Sequence, residues 1–294
     1  MSPLRLWLVA ARPRTLPAAV APVLVGTALA QQDGVFHAVR FACALVGSVF
    51  IQVGTNLAND YSDARRGADT EDRLGPVRVT AGGLMPPLRV LIGTWVAFGI
   101  AVAAGAYLVA VAGWQLLVVG AASIAAGVLY TGGPRPYGYA GLGELFVFLF
   151  FGLVAVNGSY YVQLEELRLL PLGLSIAVGC LATAILVVNN VRDIDTDRRA
   201  GKRTLAVRLG RDATRLLYLW LLAVGYLMLP VTLAANAGPW CAVIGLVSAP
   251  LAIPPARAVF TRTDGPSLNK ALAGTGMLLG AFSLTVSFGL LIAA

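Results

Sequence analysis

The chain has 294 residues, 58% of them hydrophobic and 12% charged, with a mean hydropathy of +0.78. A soluble domain carries about 25% charged residues, so a water-soluble globular fold is excluded. The net charge of +8 would suit a nucleic-acid binder, but its placement along the chain excludes that partner as well.

A bilayer core about 30 Å thick needs roughly 20 apolar residues per helix, and nine stretches approach that length. Basic Met1 to Arg14 leads into the first, Leu16 to Ala30. Its ending, Ala28-Leu29-Ala30, has the outline of a signal peptide, yet Pro17 and Pro22 interrupt the run and it reads better as a span. The second, Val39 to Asn59, runs into the polar segment NLANDYSDARRGADT at 56 to 70. Leu88 to Val111 and Trp114 to Tyr130 follow with almost no loop between them, and YTGGPRPYGYAGLGE (130 to 144) leads to the fifth stretch, Leu142 to Val162. The sixth, Leu170 to Asn190, ends in NNVRDIDTDRRAGKRT at 189 to 204. Leu216 to Ala235, Trp240 to Ile253 and Ala271 to Ala294 complete the set, the eighth being short for a span. These elements predict an all-α membrane protein, one domain over residues 1–294, with nine transmembrane helices.

With the N-terminus inside, 20 of the 22 basic residues fall on one face, leaving only Arg40 and Arg168 on the other. The positive-inside rule makes that face cytoplasmic, with the N-terminus and the loops after even-numbered spans. Cys43, Cys180 and Cys241 lie in apolar stretches without shared spacing and suggest neither disulfides nor a zinc site. His37, the single histidine, falls on the outer side and is given no catalytic role.

Eight of the 14 acidic residues lie in two short segments: Asp60, Asp63, Asp69, Glu71 and Asp72, then Asp193, Asp195 and Asp197. Asn56, Asp60 and Asp63 stand at i, i+4 and i+7, and Asn189, Asp193 and Asp197 at i, i+4 and i+8, so each set projects from one helical face. Asp195 lies off that face. Carboxylates at a helix C-terminus meet the negative end of the helix dipole, so a cation is required there. Mg²⁺ suits these oxygen donors, because it is commonly held by one or two carboxylates together with substrate phosphates. Arg65, Arg66, Arg198, Lys202 and Arg203 follow the clusters and are placed to take the remaining phosphate oxygens. Two acid clusters and their cations describe a diphosphate site.

At these residues the chain resembles the UbiA-type family of intramembrane aromatic prenyltransferases, whose members carry Asn-Asp-x-x-Asp after the second helix and Asp-x-x-x-Asp after the sixth. Many members have a third aspartate where this chain has Gly67, the next acid being Asp69. The resemblance implies helices around a central cavity, capped by cytoplasmic loops, with a polyprenyl diphosphate as donor and Mg²⁺ as cofactor. Asp60, Asp63, Asp193 and Asp197 would be the catalytic motif residues, joined by Asn56 and Asn189 at the metal. Within the family the segments AARPRTLPAAVAPVLVG (10 to 26), Gly67-x-Asp69 and 130 to 144 are most similar to the branch that prenylates 1,4-dihydroxy-2-naphthoate. That similarity implies a multi-pass protein of a bacterial cell membrane that consumes this carboxylated acceptor. Candidate acceptor contacts are Arg12, Arg14, Tyr130, Arg135, Tyr137, Tyr139 and Glu144.

Other functions fit less well. A secondary transporter places its polar sites near the bilayer midplane on broken helices, whereas these acids cluster at one membrane face beside arginines. A CDP-alcohol phosphotransferase carries Asp-Gly-x-x-Ala-Arg between its aspartates, which neither segment contains. Among prenyltransferases, 4-hydroxybenzoate, homogentisate and haem B are the competing acceptors.

Overall fold

The computed structural model describes residues 1–68 and 74–294, and these form helices and connecting turns with no strand among the described residues. In chain order they are α1 (Pro3–Ala11), α2 (Pro17–Gln32), α3 (Ala38–Arg65), α4 (Pro87–Ala112), α5 (Gln115–Leu129), α6 (Gly143–Leu164), α7 (Leu169–Arg199), the short α8 (Leu205–Leu209), α9 (Arg211–Ala235), α10 (Trp240–Thr261) and α11 (Gly265–Ile292). Each of the nine expected stretches is helical. Among the described residues, however, seven helices are long and apolar enough to cross a membrane, and an eighth crossing is obtained if α1 and α2, bent by 56° at their junction, form one span. Of the nine expected stretches, eight at most thus meet that length. The difference is α5, whose 15 residues reach about 22 Å at 1.5 Å per residue, short of the hydrocarbon thickness.

The eighth stretch reaches further than its residue count suggests. Trp240–Ala252 winds as a 3₁₀ helix, which rises about 2.0 Å per residue and so gains length over an α-helix of the same sequence. Its α-helical continuation then carries α10 to Thr261.

Helix α7 is the centre of the bundle. Its most apolar window is 78% buried, against 22–50% for the other spans, and α6, α9 and α11 pack around it. The α6–α7 contact depends on glycine: a Cβ on Gly152 would lie 2.6 Å from the Gly179 Cα and 2.8 Å from the Ser175 carbonyl oxygen. Small residues let helix backbones approach in this way where no hydrophobic drive distinguishes neighbour from lipid. The outer surface keeps large apolar side chains, among them Trp95, Trp220, Met277 and Phe288, as expected of a surface solvated by acyl chains.

The break between α1 and α2 is stitched to α3 by polar groups. Arg12 adopts a left-handed backbone conformation (φ 52°) between α1 and the turn Pro13–Thr15. The Thr15 hydroxyl accepts from the Gln52 and Asn56 side-chain amides at 3.1 Å each, and Asn56 also donates to the Ala11 carbonyl at 2.9 Å. Both α3 and α7 continue past their apolar stretches, so the two acidic motifs occupy the last turns of long helices and emerge at the same end of the bundle.

Candidate active site

A cavity of about 650 Å³ lies between α3, α4, α5, α6 and α7. Its inner part is apolar and partly glycine-walled: Gly47, Gly105, Gly120 and Gly158, from four different helices, line it, and a Cβ on any of them would meet no atom within 4 Å. Its other end is polar and holds both motifs.

From α3 the wall receives Asn56, Asn59 and Asp63. Asp63 is 2% exposed and is the hub of the polar end. Its Oδ1 accepts from the Tyr139 hydroxyl at 2.7 Å, and its Oδ2 meets Lys202 Nζ at 3.2 Å and Arg78 Nη2 at 3.4 Å. The Asn59 Oδ1 accepts from the Thr131 hydroxyl at 3.0 Å. Asp60, expected beside Asp63, does not line the cavity. Its Oδ2 and Oδ1 accept the backbone N–H groups of Val79 (3.1 Å) and Thr80 (2.9 Å). At 100° per residue, Asn59 and Asp60 lie about 40° and 60° to either side of Asp63, so the spacing alone does not tell which of them faces the cavity. Asp69 lies outside the described residues.

From α7 come Asn189, Asn190, Asp193 and Asp197, which share a sector of about 100°. Arg192, 1% exposed, clamps this face. Its Nε donates to Asp193 Oδ1 at 2.8 Å, and its Nη2 to Asp193 Oδ2 at 2.6 Å and Asn189 Oδ1 at 2.8 Å. Its Nη1 donates to Asn269 Oδ1 on α11 at 2.6 Å. Asp195, off the face, is instead paired at the surface with Arg211 at 2.9 Å.

Of the cations expected at the diphosphate, Lys202 lines the cavity, 4.8 Å from the centre of the Tyr139 ring. Arg66 donates to the Thr131 and Gly133 carbonyls and lies 5.8 Å from the centre of the same tyrosine ring. Arg65 rests on Tyr61. Arg198 and Arg203 are exposed and do not line the cavity. Arg78, buried on the wall beside Asp63, was not singled out from sequence as a site residue. It stands 15 residues beyond that aspartate in a segment without a helical period to place it.

The acceptor candidates also divide. Arg12, Tyr130, Tyr137 and Tyr139 line the cavity, while Arg14 and Arg135 are exposed and do not. Tyr137 stacks on Phe146 at 3.9 Å and meets Tyr130 edge-on at 5.4 Å. Burial pushes both phenols above their ordinary range, with the nearby Glu144 carboxylate adding to the rise at Tyr130. Both therefore stay protonated near neutral pH. Glu144 stands behind the wall and accepts from the Asn190 amide at 2.8 Å, which orients a wall residue.

A model of the UbiA prenyltransferase family matches residues 19–291. The chain belongs to that family. It is 45% identical to a 1,4-dihydroxy-2-naphthoate octaprenyltransferase of Mycobacterium tuberculosis, over 96% of this chain and 95% of the relative. It is 38% identical to a protein of the same name from Escherichia coli, covering 92% and 89%, and 34% identical to one from Bacillus subtilis, covering 96% and 90%. Among solved structures, a UbiA homologue from Archaeoglobus fulgidus bound to GPP and Mg²⁺ superposes with a TM-score of 0.69 at 16% identity, over 98% of this chain and 99% of that one. A UbiA homologue from Aeropyrum pernix K1 in its apo form gives 0.69 at 15% identity, covering 90% and 96%.

The donor set of this UbiA-family site fits a hard divalent cation. Asp63, Asp193, Asp197, Asn59 and Asn189 present only oxygen as ligand atoms from the cavity wall, the type Mg²⁺ prefers. Among the described residues no three acidic, histidine or cysteine side chains form a ready-made ion cage. A cation shared with substrate phosphates needs no such cage, since one or two carboxylates suffice.

Proposed function

We propose that the chain transfers a polyprenyl group from its diphosphate to 1,4-dihydroxy-2-naphthoate, releasing diphosphate and CO₂ and giving demethylmenaquinol. The observation that carries the transfer reading is the convergence of both acidic motifs, Lys202 and Arg78 at one end of a cavity whose remainder is apolar. That arrangement matches an amphiphilic donor, with its diphosphate at the membrane edge and its isoprenyl tail in the apolar part. A volume of about 650 Å³ falls in the range that encloses a drug-sized ligand, so a long tail continues from the cavity into lipid. The choice of acceptor rests on the similarity to relatives of that name, 34–45% identical over nearly the whole chain.

Breaking the allylic C1–O bond leaves its electron pair on the diphosphate and positive charge on the allyl group. The Lys202 ammonium and Arg78 guanidinium stabilise the departing anion by charge-assisted hydrogen bonds. Mg²⁺ held by the motif oxygens would supply further neutralisation of the diphosphate charge. Tyr130, Tyr137 and Phe146 line the cavity and their ring quadrupoles favour a nearby cation, while apolar walls keep water from trapping it. The acceptor ring carbon bearing the carboxylate attacks C1. Loss of CO₂ then returns the C–C bonding pair to the ring and restores aromaticity. Arg12, on the cavity wall, is placed to meet the acceptor carboxylate, whose burial without a cation would be costly. The excess of basic residues on the motif face orients that face to the cytoplasm.

Incubating membranes that contain the protein with radiolabelled farnesyl diphosphate, Mg²⁺ and each candidate acceptor in turn tests the reading. The expected result is a prenylated naphthoquinol with stoichiometric CO₂ from carboxyl-labelled 1,4-dihydroxy-2-naphthoate. Prenylation without CO₂ release would overturn the acceptor assignment.

A further inference from the structure

We propose that Asp60 is a positioning residue: it acts through the backbone N–H groups of Val79 and Thr80 to set Arg78 at the diphosphate end of the cavity, and it is not a metal ligand. The inference rests on the reading of that end as the donor's diphosphate site.

Asp60 is 1% exposed, and each of its oxygens accepts one backbone N–H, from Val79 at 3.1 Å and Thr80 at 2.9 Å. Its neighbours in the motif, Asn59 and Asp63, line the cavity and it does not. The segment it holds is a compact turn. Gly82 N–H donates to the Arg78 carbonyl at 3.0 Å, and Leu84 and Met85 N–H both donate to the Val79 carbonyl, at 3.0 and 2.9 Å. Val79 and Met85 are buried against Leu57, Val90 and Ala10, which fixes the turn on α1, α3 and α4. A second strap comes from α11, where Asn269 donates to the Leu74 carbonyl at 3.0 Å. Arg78 immediately precedes the two amides that Asp60 holds, so the carboxylate determines where the arginine's Cα begins. An arginine side chain has many rotamers, and anchoring its backbone by charge-assisted bonds removes much of the freedom that would otherwise be lost on binding phosphate. A buried carboxylate that serves two amides is also well satisfied without a cation.

The full-length protein in detergent carries the test, with Asp60→Asn as an isosteric variant and Asp63→Asn as the contrast. Three measurements apply: amide hydrogen exchange over 77–85 without ligand, Mn²⁺ binding by electron paramagnetic resonance with inorganic diphosphate present, and donor KM and kcat. For Asp60→Asn the expected results are exchange at Val79 and Thr80 faster by about tenfold or more, Mn²⁺ affinity within about twofold of wild type, and a donor KM raised roughly tenfold. In an Arg78→Gln background Asp60→Asn should add less than about twofold, because the two residues act in series. Loss of Mn²⁺ affinity equal to that of Asp63→Asn, unchanged exchange at 79–80, or a full KM effect in the Arg78→Gln background would each overturn the proposal. Failure of the functional reading shows separately, as wild-type protein that forms no prenylated product while its Val79 and Thr80 amides still respond to Asp60→Asn.

Discussion

Arg192→Met removes a guanidinium that is 1% exposed and donates four hydrogen bonds, two of them to the Asp193 carboxylate. Asp193 is itself only 5% exposed, so solvent screens the pair little. Deleting one partner of a buried ion pair leaves the other charge uncompensated and costs about 3–5 kcal/mol. For a chain of this size that is a fall in unfolding temperature on the order of 10 °C. The assay is intrinsic-fluorescence unfolding of the purified protein in detergent at one fixed heating rate, because membrane-protein unfolding is commonly irreversible. Transfer should fall about 10- to 100-fold, the usual cost of removing a group that orients a ligand. Adding Asp193→Asn to Arg192→Met should recover more than half of the lost stability, since no buried charge then remains unmatched, while activity stays low. Arg192→Lys should lie between, keeping the charge but losing the two-pronged geometry. An Arg192→Met protein as stable as wild type, or a double variant less stable than the single one, would refute the account of Arg192 as the counter-ion of the second motif.

Other outcomes follow from the same geometry. Asp63→Asn should abolish transfer, because the hub for Lys202, Arg78 and Tyr139 loses its charge; Asp195→Ala, which breaks only an exposed pair with Arg211, should change stability by less than about 1 kcal/mol and leave activity close to wild type. Arg12→Gln should raise the acceptor KM while the donor KM stays nearly constant, the signature of a lost acceptor contact in steady-state kinetics. Gly120→Leu should place a side chain in the open apolar part of the cavity. Turnover of farnesyl diphosphate should then fall about tenfold while that of dimethylallyl diphosphate is spared, as measured by product formation with each donor.

Much of this protein was legible in its sequence because bilayers impose strong one-dimensional rules. Length and hydropathy set the helical segments, and the clustering of acids in two segments marked the polar end of a cavity. The period of 3.6 residues also separated Asp195 from Asp193 and Asp197, since it lies well over a quarter-turn from either on α7. Tertiary structure decided what local periodicity leaves open. Asn59, Asp60 and Asp63 share one broad face of α3, and only the packing of the turn at 78–85 shows that Asp60 serves backbone amides while Asn59 faces the cavity. Arg78 and Arg192 were read from sequence as topology-determining charges because an arginine's role depends on which groups its long side chain reaches. One meets Asp63, 15 residues away, and the other reaches Asn269, 77 residues away. The number of crossings likewise depended on geometry: α5 is one helix of 15 residues, and α1 and α2 meet at a bend of 56° held by Thr15, Gln52 and Asn56. Hydropathy is a property of each segment, whereas a carboxylate's partner is a property of the whole fold, set by contacts between residues far apart in the chain.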